Sequence, residues 1–339
     1  MSRSAVSGNE EEAIYIFQQY LQPYCHSIYC DSLHNCYAHL NPTSDPAILI
    51  EAHIDEIGFQ VTYIDDNGFI YIRRCGGIDC ACIPGSQVEI HTYKGKTING
   101  IIGKCPVHIQ KSDERMKVPE LEELWIDTAL PADEVRQSVA VGDYVSFANN
   151  FQRLGRYGIM SKGLDDKIGV YIVAETIKRL ASKTLSIGVC GVATVQEEVG
   201  CKGAKVCAHN VSPRMSISID VGFASDVPNI SPKKYGETAL GNGPVINHHT
   251  DCSRSLINIV KEVASQKHIA HQDCAYSAST GGTNTPFIQT TNMGIQTLLL
   301  SIPNRYMHTQ VELCDTRDVE GAINLLVETI LYIDKKHLV

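Results

Sequence analysis

The stretch Val192-Ala193-Thr194-Val195-Gln196-Glu197-Glu198-Val199-Gly200 closes an apolar run that begins at Leu185, and it sets two carboxylates side by side where the run ends. So apolar a run reads as a buried strand, and a polar turn reads as its end. Unpaired anions in a cleft repel one another and shift their pKa values upward, so a neighbouring pair there asks for a counter-charge.

Outward from this strand, the chain after Gly163 alternates helix and strand. Ile168, Ile172, Val173, Ile177 and Leu180 trace a helix, and Met215, Ile217 and Ile219 alternate with serines in a strand. Leu298 to Leu300 makes a further buried strand. Val319, Ile323, Leu326, Val327 and Ile330 make a C-terminal helix begun near Asp315 and Thr316. Towards the N-terminus, Ala47-Ile48-Leu49-Ile50 leads into Glu51-Ala52-His53-Ile54-Asp55, so His53 and Asp55 lie at or just past a strand end. Ser7-Gly8-Asn9-Glu10 has the spacing of a capping box, which predicts a helix from near Ser7 with Ala13, Ile14, Ile16, Phe17 and Leu21 on its apolar face. Between about Thr62 and Gln152 the texture changes to short β-rich pieces broken by Gly and Pro, among them Phe69 to Arg73, Gln87 to Thr92, Thr97 to Ile102 and Asp143 to Phe147. The organisation expected is an α/β domain with one central sheet over 1–61 and 153–339, interrupted by a small all-β insertion over 62–152.

Composition narrows the function. The 339 residues carry a formal net charge of -9 and no basic block, which argues against nucleic acid as a partner. The start MSRSAVSGNEEEA lacks an apolar core, and no run approaches the roughly 18 apolar residues of a membrane span, so a cytoplasmic protein with no membrane partner is expected. The 13 cysteines are scattered from Cys25 to Cys314 and read as reduced, mostly buried thiols. Cys80-Ala81-Cys82 comes closest to a metal pair, but two thiolates do not make a tetrahedral site.

Acidic and histidine residues gather at five element ends: His53 with Asp55, Asp165 with Asp166, Glu197 with Glu198, Asp220, and His308. Each has a plainer reading alone. His53 and Asp55 could share a surface hydrogen bond, Asp165-Asp166 could cap the next helix, Glu197-Glu198 and Asp220 could be solvated turns, and His308 could be a loop histidine. In open α/β sheets, however, residues beyond the carboxyl ends of strands converge. Two histidines with several carboxylates form a ligand set suited to Zn²⁺, Co²⁺ or Mn²⁺, with more anions than one ion needs.

The order of these motifs resembles the M42 family of metallo-aminopeptidases, the glutamyl and deblocking aminopeptidases, some of which carry the label endoglucanase. The resemblance rests on Ala5 to Glu10, Ala52-His53-Ile54-Asp55-Glu56-Ile57-Gly58-Phe59, Gly163-Leu164-Asp165-Asp166-Lys167-Ile168-Gly169 and Val195 to Gly200. It continues through Ile219-Asp220-Val221, Leu240 to Pro244, Gly281-Gly282-Thr283-Asn284 and Pro303 to His308. These pieces run in family order over nearly the whole chain.

The resemblance implies a zinc-peptidase-like α/β fold, a central mixed sheet flanked by helices with an inserted small β-barrel domain. It implies two divalent metal ions per subunit, one held by His53, Asp165 and Asp220 and the other by Asp165, Glu198 and His308. Asp165 would bridge them, Asp55 would orient His53, and the Asp165–Asp166 peptide bond would be cis. Glu197 would act as general base on a metal-bridging water and pass its proton to the leaving amine. The implied substrates are short peptides with a free N-terminus, and the implied assembly is a homo-oligomer, commonly a tetrahedral dodecamer in this family, contacted through the inserted domain.

Three departures stand out. Gly282-Thr283-Asn284-Thr285 replaces the family's usual Gly-Thr-Asp-Ala, an amide for an acid expected near the substrate pocket. Asp127-Thr128-Ala129 and Pro119 to Glu123 differ from the usual insertion. The chief rival activity is metal-dependent deacylation of N-acyl amino acids, which the same ligands would serve. Glycoside hydrolysis also uses two carboxylates but needs neither histidines nor a bridging aspartate, and the single Trp offers little sugar-stacking surface. A non-catalytic shell or peptide-binding subunit would be expected to have lost Glu197 or a ligand, and all are present.

Overall fold

Four parallel strands form the centre of an eight-stranded sheet, in the order Gly188–Thr194, Pro46–His53, Met215–Phe223 and Gln296–Asn304. On one side Cys36–Leu40 and then Ser27–Cys30 extend it through antiparallel pairings, and on the other Val245–Asn247 pairs antiparallel with Gln296–Asn304 and parallel with Gln272–Cys274. The computed structural model describes residues 3–44, 46–112, 115–275 and 282–338. The expected α/β architecture, a mixed central sheet with an inserted barrel, is the architecture observed. Among the described residues no helix is long and apolar enough to cross a membrane.

Both faces of the central strands are covered, one chiefly by the helices Leu164–Leu180, Arg254–Lys267 and Thr316–Lys336 and the other by Lys202–Val211 and Thr285–Gln289, and this changes the reading of Met215–Phe223. Its serines, Ser216 and Ser218, are as buried as Met215, Ile217 and Ile219. A strand in the middle of a parallel sheet has no solvent face, so the polar alternation marks small side chains packed under helices rather than an exposed edge.

The N-terminal helix spans Glu11–Leu21, four residues later than the capping-box spacing predicts. The Ser7 hydroxyl does not cap it but donates to Oδ2 of Asp55 at 2.5 Å, and the Glu10 carboxylate accepts from the amides of Gly8 and Gln196. The capping-box letters are therefore spent on tertiary contacts. Ile16 is also displaced from the expected face. Ala13, Ile14, Phe17 and Leu21 are buried at helical spacing, and Ile16 points to solvent beside Tyr15 and Tyr20. The C-terminal helix follows the sequence closely: the Asp315 carboxylate accepts from the amide of Arg317, and Val319, Ile323, Leu326, Val327 and Ile330 are buried.

The barrel closes through six strands in the order Gly58–Ile64, Ile70–Cys75, Trp125–Asp127, Thr97–Gly103, Gln87–His91 and Tyr144–Phe147. Its core of Phe59, Val61, Ile72, Ile90, Ile102, Ile126 and Phe147 is separate from the sheet's core, which makes it a unit with its own hydrophobic interior. An α-helix, Ala132–Ser138, and two 3₁₀ turns, Cys80–Cys82 and Leu121–Glu123, interrupt the β segment that the sequence predicts. The cysteines are free thiols and most are buried; Cys80 and Cys82 join no metal-ligating group among the described residues.

A three-stranded sheet, Gln152–Leu154, Gly158–Ser161 and Glu312–Asp315, completes the framework. It leads the chain back from the barrel into Gly163-Leu164-Asp165, and it sets Glu312 opposite Ser161. Gly163 adopts φ 59°, and a Cβ there would collide with the Glu56 carboxylate, so only glycine fits this entry to the site.

Candidate metal centre

The carboxyl ends of the four parallel strands deliver the site. His53 is the last residue of its strand, Glu197 and Glu198 follow Thr194 within one turn, Asp220 lies near the end of Met215–Phe223, and His308 follows Asn304. Asp165 enters from the start of the helix Leu164–Leu180, where it and Asp166 have non-helical backbone angles and share a cis peptide bond.

These residues meet at short range. Nε2 of His53 lies 3.1 Å from Oδ1 of Asp165 and 3.6 Å from Oδ1 of Asp220. Nε2 of His308 lies 3.2 Å from the other Asp165 oxygen, Oδ2, and 3.3 Å from Oε1 of Glu198. The side chain of Asp165 thus stands between the two imidazoles. Two groups of three ligand atoms each fall within 4.8 Å, one from His53, Asp166 and Asp220 and one from Asp165, Glu198 and His308.

Both imidazoles are oriented from behind by backbone. Nδ1 of His53 is 3.1 Å from the Asp55 carbonyl oxygen and 3.5 Å from its carboxylate, and Nδ1 of His308 is 2.7 Å from the Gly77 carbonyl oxygen. A carbonyl oxygen only accepts, so each Nδ1 carries the hydrogen and each neutral ring aims a bare Nε2 at carboxylate oxygens. Lone pairs facing lone pairs are repulsive until a cation or a proton enters between them.

The Asp55 carboxylate works on the other side of the site. It accepts from Ser7 Oγ, from the amide of Glu197 at 2.9 Å and from the amide of Glu198 at 3.1 Å. The turn carrying both glutamates is pinned to the residue that also backs His53. The preceding residue, Gln196, has φ 57°, which turns the chain sharply after the strand. Glu197 projects to within 4.0 Å of Nε2 of His53 yet belongs to neither three-residue group.

Electrostatics carry the same demand for positive charge. Burial, reinforced by Asp220, Glu198 and Asp55, pushes the Glu197 carboxyl up to about 9, and burial with Asp165 raises Glu198 to about 7. Burial raises Asp166 and Asp220 as well. Burial opposes the charged imidazolium of His308, but Asp165 and Glu198 outweigh it and lift the group to about 12; His53 is raised in the same way by Asp165, Asp220 and Asp55. Protons take up the positive role when no metal does.

Two contributors stand outside the ligand set that the resemblance implies, Asp166, which the sequence places only beside Asp165, and Glu312. Asp166 is fully buried, with Oδ1 accepting from the amide of Gly169 at 3.0 Å and Oδ2 left without a partner beside His53 and Asp220. Its role as cap of the helix was legible, whereas its second oxygen's place in the cluster was not. Glu312 accepts from the amide of Asp165 and the amide of His308, both at 2.9 Å, and so holds two site residues with one carboxylate. An acid inside the apolar run Val311-Glu312-Leu313-Cys314 was the available signal.

Asn284 changes meaning. It is buried, and its amide donates to Oε2 of Glu51 at 2.8 Å and to Oγ1 of Thr194 at 3.1 Å. The amide answers a buried acid beneath the site rather than facing substrate. Gly281 of the same motif lies outside the described residues.

A family model, M42 glutamyl aminopeptidase, matches residues 35–325. The chain is similar to the lysyl aminopeptidase of Pyrococcus furiosus, at 33% identity over 299 residues that cover 87% of this chain and 84% of that protein. The solved structure of a TET aminopeptidase from a marine-sediment Thaumarchaeota archaeon superposes with a TM-score of 0.93 and 32% identity, over 99% of this chain and 94% of that one. The TET1 peptidase of Pyrococcus horikoshii, which assembles into a tetrahedron or a large octahedral shell, gives a TM-score of 0.86 at 31% identity, over 96% and 95% of the two chains.

Proposed function

The chain belongs to the M42 glutamyl aminopeptidase family and is a peptide hydrolase, and from that premise we propose that it removes N-terminal residues from short peptides with two divalent metal ions as cofactors. The observation that carries this reading is the pair of Nε2 atoms aimed at opposite oxygens of one buried aspartate. His53, Asp165 and Asp220 would hold one ion, with Asp166 in reach, and Asp165, Glu198 and His308 the other. The donors are imidazole nitrogens and carboxylate oxygens, the set that suits Zn²⁺, Co²⁺ or Mn²⁺, and the buried, partnerless Oδ2 of Asp166 fits such an occupant.

When bound, divalent ions at these positions supply Lewis acidity, lowering the pKa of a water and polarising a carbonyl. The protein's own groups supply the rest. Glu197, in neither ligand group, takes a proton from the attacking water and gives it to the departing amine. Asp55 fixes the amides of Glu197 and Glu198 and backs His53, so the base and the ligands keep their relative positions. Acidic groups around the centre suit a substrate's α-ammonium. The barrel, which begins at Gly58 and otherwise lies in the inserted segment taken as 62–152 between catalytic segments 1–61 and 153–339, would mediate subunit contacts in a homo-oligomer, as large as a dodecamer.

The test is hydrolysis of aminoacyl anilides, each with a free and an acetylated N-terminus, after chelation and after re-addition of Co²⁺ or Zn²⁺. Metal-restored cleavage of the free-amine set is the expected result. Cleavage of the acetylated set alone would move the activity to N-acyl amino acid deacylation.

A further inference from the structure

We propose that this peptidase selects a neutral, apolar first residue, the class of leucine, methionine and phenylalanine, over lysine and glutamate; the inference rests on the aminopeptidase reading above. The centre opens into a cavity of about 520 Å³. Its acidic and basic lining residues, apart from His249, are the metal-centre residues themselves. Much of the remaining wall is Val221, Phe223, Phe287, Leu299 and Met307, from four different parts of the chain. No Lys or Arg lines it among the described residues, and no carboxylate outside the centre does.

Neighbouring charges are engaged elsewhere. Lys205 sits 4.4 Å from the centroid of the Phe287 ring without lining the cavity, and Arg305 is paired with Asp226. Burial lowers the pKa of His249, which keeps its ring neutral at pH 7 and so provides no cation for an acidic side chain.

A first side chain that leaves water for this wall must exchange its hydration for contacts with aromatic rings, aliphatic groups and a thioether. An ammonium or carboxylate would find no fixed partner there, whereas each methylene gains. The acids of the centre do not rescue a lysine side chain, since metal ions would engage the ligand carboxylates and Glu197 would serve the attacking water beside the scissile bond. Met307 and the two phenylalanines also accommodate apolar side chains of different shape, because a thioether adapts its shape and rings accept flat groups.

The experiment compares kcat/KM of the metal-loaded protein for alanyl, leucyl, methionyl, phenylalanyl, lysyl and glutamyl anilides. It also compares the thermal shift produced by free leucine, lysine and glutamate. Leucyl, methionyl and phenylalanyl substrates should exceed lysyl and glutamyl ones by at least about tenfold, at roughly fourfold per buried methylene, and leucine should give the largest shift. Met307→Glu should raise the lysyl-to-leucyl ratio by about tenfold, with the uncharged Met307→Gln separating charge from shape. A lysyl or glutamyl preference in the unsubstituted protein, or a ratio unmoved in a folded Met307→Glu protein, overturns the inference and leaves the aminopeptidase reading standing. Failure to cleave any free-amine anilide overturns both.

Discussion

Nδ1 of His308 donates to the carbonyl oxygen of Gly77 at 2.7 Å, so a backbone group just past the barrel strand Ile70–Cys75 sets the ring of a residue near the other end of the chain. The bond fixes the tautomer and leaves Nε2 facing Asp165 and Glu198. The barrel therefore helps to build the centre as well as interrupting the catalytic chain.

His308→Ala removes one nitrogen from one of the two ligand groups and should cut the bound metal from about two ions per chain to about one, with activity falling at least about 100-fold. Elemental analysis after dialysis against metal-free buffer gives the stoichiometry. An unchanged metal content would take His308 out of the ligand set.

Glu197→Gln should leave metal content intact and lower kcat by about 10²- to 10⁴-fold, because the amide keeps the shape of the side chain but cannot accept the water's proton. Its backbone amide still donates to Asp55, so the turn that carries Glu198 should hold. Near-normal turnover in the variant would end the assignment of Glu197 as base.

The positions that sequence reasoning located share a cause. His53, Glu197, Glu198 and Asp220 end or follow apolar strands, and the ends of parallel strands meet by the geometry of the sheet. What remained hidden depends on contacts distant in sequence. Ser7 carries the letters of a helix cap yet bonds Asp55, 48 residues away. Glu312 reaches the amide of Asp165 across 147 residues, and Gly77 acts through its carbonyl, which no residue type reveals. Asn284 was visible as a departure, but its partner Glu51 lies 233 residues off, so its meaning waited on the fold.

Glu312 supports a prediction that separates charge from hydrogen bonding. Burial, with Asp165 adding repulsion, holds the Glu312 carboxyl well above its ordinary value in the metal-free protein, so its neutral form is favoured there. Glu312→Gln retains a carbonyl acceptor for only one of the two amides and should cost about 1 to 2 kcal/mol. Glu312→Ala strands the buried amides of Asp165 and His308 and should cost about 2 to 4 kcal/mol, with weakened metal binding. Denaturant unfolding of the two chelated variants, followed by metal titration, measures both effects. Equal losses would mean that the carboxylate charge itself is needed.

Glu56 sets the pH dependence of folding at the junction of barrel and sheet. Its carboxylate is buried, with Oε1 2.6 Å from Nζ of Lys162, Oε2 2.8 Å from Nζ of Lys167, and Oε1 also accepting from the amide of Ala5. Burial alone would raise its pKa, but the two ammonium groups outweigh burial and hold it at about 2 against an ordinary 4.5. The unfolded chain therefore binds this proton first as pH falls. The stabilisation is complete above pH 4.5 and is lost as pH drops through 2, amounting to about 3 kcal/mol for a shift of this size. Glu56→Gln leaves two buried lysines without their anion and should cost about 3 to 5 kcal/mol at pH 6. The gap in unfolding free energy between the unsubstituted protein and the variant should narrow steadily from pH 5 to pH 3. A gap that stays constant over that range would assign the loss to packing rather than to the carboxylate's charge.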